Sequence, residues 1–154
     1  MNSKARVPLI AATIAAFAVS IGACGGGNDD KSSASATTTT TSTSPTTVNA
    51  SLGEYFIKLD NPTPSAGPVR FNVINDGKIK HEFVVLRTNI APGKLPLKNG
   101  EANEEIAESP GEIPGIESGK KKTLDVVLKP GKYVLLCNLP GHYKAGQYTG
   151  ISVK

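Results

Sequence analysis

Residues Cys137–Gly150 read CNLPGHYKAGQYTG, and they follow the apolar run KYVLLC (132–137). Side chains alternate along a strand, so Tyr133, Leu135 and Cys137 share one face. The sulfur therefore closes a strand pointing the way its core-facing neighbours point. Beyond it, Pro140-Gly141 and Gly146 break regular structure. Within that loop His142 stands five residues after Cys137, and Gln147 five after His142. The chain has only two histidines and two cysteines. The other histidine, His81, opens HEFVVLR (81–87) and shares a face with Phe83 and Val85. Strand ends are where a loop can complete a site, and these donors all lie at strand ends.

Working outward, the chain from Ser51 on carries strand and turn signals. VRFNVIND (69–76) places Val69, Phe71 and Val73 on one face and stops at the turn pair Asp76-Gly77. HEFVVLR is apolar on both faces after Glu82, the pattern of a strand buried on both sides. KKTLDVVLK (121–129) alternates Leu124, Val126 and Leu128 inward, and the turn KPGK (129–132) leads into the run that ends at Cys137. Ile151 and Val153 alternate in the closing segment, and LGEYFIKLD (52–60) opens the sheet. Only Ala102–Glu108 reads as helical, for a turn or two before Pro110; the rest of 91–119 reads as a long excursion between strands. Six or seven short strands predict an all-β antiparallel sandwich or Greek-key barrel with one short helical excursion.

Two imidazoles and a thiolate are the in-plane donor set of a blue-copper site, completed by a weak axial ligand. A soft thiolate suits Cu(I) and mixes strongly with Cu(II), while imidazole suits both states. The segment Cys137-x4-His142-x4-Gln147 resembles the ligand loop of the cupredoxins, the small blue-copper proteins, and His81 in KIKHEFVVL matches the family's upstream histidine. PGKYVLLC and the PGH before Tyr143 are also similar to the family. The resemblance covers about residues 51–154 and implies a cupredoxin-like fold with one type 1 copper ion held by His81, Cys137, His142 and Gln147.

Two positions depart from the family pattern. Met is the usual axial residue, and the chain's single Met is the initiator. Gln147 stands in that place, as in the stellacyanin-like minority; a harder amide oxygen favours Cu(II) and implies a lower reduction potential. The alternative is that Gln147 is a loop residue and copper has three ligands. The second departure is Glu82, where many members carry an Asn that supports the thiolate. Either Glu82 faces away from the metal or another group supplies that hydrogen bond.

The N-terminal part has a different character. Lys4 and Arg6 precede an uncharged run from Val7 to Ala23, the layout of a secretory signal peptide over 1–23, with an uncleaved anchor as the alternative. Ile21-Gly22-Ala23-Cys24 resembles a bacterial lipobox, which implies lipidation of Cys24. Residues 24–50, rich in Gly, Ser and Thr, have almost nothing to bury and are expected to form a disordered tether. The predicted division is thus signal peptide 1–23, tether 24–50 and copper-binding domain 51–154.

The formal charge is +4. Without Lys4 and Arg6 the basic residues exceed the acidic ones by only two, so nucleic acid is not an expected partner. Lys120-Lys121-Lys122 reads as a solvated strand start. With Cys24 lipidated, Cys137 has no partner for a disulfide, and a lone thiol outside the cytoplasm needs burial or a bound metal.

These features predict a monomeric one-electron carrier, lipid-anchored on the outer face of the cell membrane, on the periplasmic or extracellular side, and serving redox partner proteins. The alternative is a copper protein for sequestration or delivery, although the Met-rich and paired-Cys motifs common in such proteins are missing. Enzymatic activity is not expected: a Cys137–His142 nucleophile pair has no third orienting group, and no histidines are left for further copper centres.

Overall fold

The computed structural model describes residues 44–154. Ten strands run in chain order: β1 Thr46–Gly53, β2 Phe56–Leu59, β3 Gly67–Asn75, β4 His81–Arg87, β5 Leu97–Lys98, β6 Glu101–Ala102, β7 Glu108–Ile116, β8 Lys121–Leu128, β9 Gly131–Leu136 and β10 Tyr148–Val153. Two four-stranded sheets, ordered β2-β1-β3-β8 and β10-β9-β4-β7, stack as a Greek-key β-sandwich; β5 and β6 form a small separate ribbon.

Alternation along the strands makes the core. Val48, Ala50 and Leu52 of β1, Val69, Phe71 and Val73 of β3, and Val126 and Leu128 of β8 meet Phe83, Val85, Tyr133, Leu135, Ile151 and Val153 from the second sheet. The Phe71 and Phe83 rings pack 5.3 Å apart, each fully buried and each worth about 1.5–3 kcal/mol of burial. β4 is buried on both faces, as its unbroken apolar run predicts. Val84 and Leu86 join Val134, Leu136, Leu95, Ala102 and Tyr143 in a second cluster on the outer face of that sheet. The excursion after β4 thus covers the sheet as well as connecting it.

Four expectations need correction. The domain starts before residue 51: β1 begins at Thr46, with Val48 and Ala50 buried, so 46–50 belong to the sandwich and not to the tether. The sheet is mixed, because β1 runs parallel to β3 through Thr46↔Val69 to Leu52↔Asn75. Residues 52–60 hold the end of β1 and all of β2, a hairpin folded back at Glu54-Tyr55. Within 91–119, β7 is a full partner of β4. Its prolines, Pro110 and Pro114, lack N–H donors and are tolerated at a sheet edge. The helical excursion is a single 3-10 turn, Glu104–Ile106, capped by the Asn103 side chain. The expected signal peptide over 1–23 and the expected lipidation of Cys24 lie outside the described residues.

Candidate metal centre

β4 and β9 are antiparallel neighbours, with Val84 opposite Leu136. The start of β4 and the end of β9 therefore lie at one pole, and this pairing brings His81 beside Cys137 across 56 residues of sequence. The loop from Cys137 to Gln147 is tied by its own main chain. Cys137 N–H donates to Gln147 C=O at 3.0 Å, Gln147 N–H to His142 C=O at 3.1 Å, and His142 N–H to Leu139 C=O at 3.0 Å. Gly141 and Gly146 take the positive φ values, 83° and 107°, that let so short a loop close. Asn138 then anchors it sideways, accepting from Ala102 N–H at 2.8 Å and donating to Ala102 C=O at 3.0 Å. Tyr143 O–H accepts from Leu95 N–H at 2.9 Å.

The donor atoms converge. His81, Cys137 and His142 offer ligand atoms that all lie within 4.8 Å of one another. His142 Nδ1 is 3.3 Å from His81 Nδ1 and 3.3 Å from Cys137 Sγ. Imidazole nitrogens bound at about 2 Å around a trigonal ion would stand roughly 3.5 Å apart, so the observed spacing fits a metal held among them. Gln147 is fully buried. Its amide Nε2 lies 3.0 Å from His81 Nδ1, and its Oε1 has no hydrogen-bond partner. Amide oxygen and nitrogen are assigned by their partners; either way the buried amide borders the donor cluster with a polar atom to spare, which suits an axial donor. All four expected site residues are therefore brought together.

The electrostatics suit metal uptake. Burial first, and the His142 ring second, push the His81 imidazole below its ordinary range, so it is available as a neutral donor. Burial pushes the Cys137 thiol up, opposed by main-chain N–H groups of Glu82 and Leu139. The thiol therefore keeps its proton until a metal displaces it.

The Glu82 question is resolved by the backbone. Glu82 N–H donates to Cys137 Sγ at 3.2 Å, while its side chain lies on the opposite side of β4 from His81 and Phe83. Burial, with repulsion from Glu112 and Glu104 next, pushes that carboxyl up to about 7.

Three supporting residues escaped the sequence reading. Glu54, in the β1–β2 turn, places Oε1 3.5 Å from His81 Nε2 and accepts from the N–H groups of Lys78 and Ile79, which hold its carboxyl below the usual range. Asn75, fully buried, ties the turn before His81. Tyr55 stands edge-on to His142, ring centres 5.5 Å apart, and is 44% exposed. The Asn75-Asp76-Gly77 turn sequence was the one available signal. A concavity of about 720 Å³ lies elsewhere, over the outer face of the first sheet, and none of the donors line it.

The sulfocyanin (SoxE) domain model matches residues 31–154. The fold is similar to auracyanin from the photosynthetic bacterium Roseiflexus castenholzii, at 20% identity and TM-score 0.51, covering 73% of this chain and 99% of that one. It is similar to auracyanin A, a blue copper protein of Chloroflexus aurantiacus, at 20% identity and TM-score 0.55, with 72% and 100% covered. Rusticyanin from Thiobacillus ferrooxidans aligns at 20% identity and TM-score 0.50, with 72% and 79% covered. No curated protein matches the chain.

Proposed function

The chain belongs to the sulfocyanin (SoxE) domain family of blue-copper cupredoxins, and from that premise we propose that it carries single electrons outside the cytoplasm, tethered to the cell membrane by a lipid on Cys24. Its cofactor is one type 1 copper ion, and members of this fold family are in general electron carriers rather than enzymes. In our reading His81, Cys137 and His142 would hold the copper ion, and Gln147 would supply a fourth, weaker donor. The observation that carries this assignment is the convergence of three donor atoms within 4.8 Å, bordered by a buried amide.

Bound copper supplies a centre that changes oxidation state by one electron. The chain's residues keep that change cheap in reorganisation. Cys137 and Gln147 are locked to each other through the main chain, and the Glu82 N–H fixes the sulfur. His81 is fully buried, whereas His142 is partly exposed and flanked by the exposed Tyr55 ring. The His142 edge is thus the shortest way between the site and a redox partner at the surface. Buried, cross-tied ligands also favour a carrier over a delivery protein, which must exchange its ligands with a recipient.

Voltammetry of the copper-loaded protein tests the carrier role: a reversible one-electron wave supports it, and irreversible loss of copper on reduction argues for storage or delivery. The tether is tested separately by cell fractionation, where Cys24→Ser should move the protein from the membrane to the soluble extracytoplasmic fraction. The same distribution for both forms would refute the lipid anchor.

A further inference from the structure

His81 presents Nδ1 to the donor cluster, 3.3 Å from His142 Nδ1. A neutral imidazole that gives one nitrogen to a metal carries its proton on the other. For His81 that other atom is Nε2, which is buried and has no hydrogen-bond partner among the described residues. Yet an acidic oxygen stands in front of it: Glu54 Oε1 at 3.5 Å.

That carboxylate is a fixed feature of the site. Oε1 accepts from Lys78 N–H at 2.6 Å and from Ile79 N–H at 3.1 Å. Both donors lie in the turn that delivers the chain to His81, so carboxylate, turn and ring form one unit. Gly77 sits between them. A Cβ there would fall 2.6 Å from Glu54 Oε1 and 2.8 Å from His81 Nε2, closer than real side chains approach. Gly77 is outside the left-handed region, so the backbone does not require glycine at this position. The space does.

We propose that Glu54 is the positioning residue for His81: its carboxylate accepts a hydrogen bond from Nε2–H, fixes the tautomer that leaves Nδ1 free as a donor, and meets the ring because residue 77 has no side chain. This rests on the assignment of His81 as a ligand. A carboxylate behind a ligating imidazole also strengthens that donor and favours the more highly charged metal state. Glu54 is thereby expected to hold the reduction potential down, in the same direction as an axial amide.

The test uses the full chain with Glu54→Gln, Glu54→Ala and Gly77→Ala. In the metal-free wild type, 1H–15N spectra of the His81 ring should show a slowly exchanging, downfield Nε2–H. Glu54→Gln, nearly isosteric and able to keep Lys78 and Ile79 satisfied, should retain that proton with an upfield shift. Glu54→Ala and Gly77→Ala should lose it. Cu(II) affinity, measured by chelator competition, should fall about 10-fold or more in the latter two, and the potential should rise in all three. An unchanged Nε2–H signal, affinity and potential in Glu54→Ala and Gly77→Ala would overturn the proposal. Failure of the copper reading is distinct: the wild type itself would form no thiolate-copper band, while the metal-free spectra would still decide the Glu54–His81 contact.

Discussion

Asn75→Ala is the change to make first away from the ligands. The Asn75 carboxamide donates to Ile79 C=O at 2.7 Å and Ile116 C=O at 2.8 Å, and accepts from Gly77 N–H at 2.9 Å. It joins the turn before β4 to the end of β7. Truncation leaves two buried groups without partners, the Gly77 N–H and the Ile116 C=O, whereas the third is near the exposed Ile79 and can turn to water. At about 1–3 kcal/mol for each stranded group, the expected loss is about 2–6 kcal/mol. Guanidinium denaturation of the metal-free protein reads it as a lower midpoint at unchanged slope. Asn75→Asp sharpens the test, because a carboxylate still accepts from Gly77 N–H but turns an oxygen toward both carbonyls. It should lose at least as much stability at pH 7 as the alanine variant. A loss under about 1 kcal/mol in Asn75→Ala, or a wild-type midpoint in Asn75→Asp, would refute this account of how His81 is placed.

Other expected outcomes follow from the same geometry. Tyr143→Phe removes the acceptor of the buried Leu95 N–H and should cost about 1–3 kcal/mol in denaturation while leaving the copper spectrum in place. Glu82, raised from 4.5 to about 7, holds its proton more tightly folded than unfolded. Its contribution to stability is complete below about pH 4.5 and is lost as pH rises through about 7. Glu82→Gln should therefore flatten the fall in metal-free stability between pH 5 and pH 8, measured by melting in matched buffers; a parallel profile would contradict the shift. Gln147→Met should raise the reduction potential, because a thioether favours Cu(I) more than an amide does; an unchanged potential would mean Gln147 is not axial.

The strongest parts of the fold were open to reading because their physics is local. HEFVVLR is apolar on both faces and became the strand buried on both faces, with the same bounds. The alternation in KKTLDVVLK placed Val126 and Leu128 in the core. The donor set could be read because the chain has so few histidines and cysteines. β7 was hidden because ESPGEIPGI has the composition of a loop; its pairing with β4 depends on a partner far away in sequence. The start of β1 was hidden for a similar reason: TTVNA continues a Thr-rich stretch, and only the parallel partner β3 shows that Val48 and Ala50 are core. Glu54 and Asn75 looked like ordinary turn residues. Their roles arise from three turns meeting at one pole, and no periodicity records that.

The most direct measurement is a Cu(II) titration of the metal-free full chain, followed by visible and EPR spectra, beside Cys137→Ser. One equivalent should produce an intense thiolate-to-copper charge-transfer band that disappears on reduction and returns on oxidation, and Cys137→Ser should abolish it. A colourless wild-type complex, or a band that survives Cys137→Ser, would contradict the copper centre assigned to His81, Cys137, His142 and Gln147.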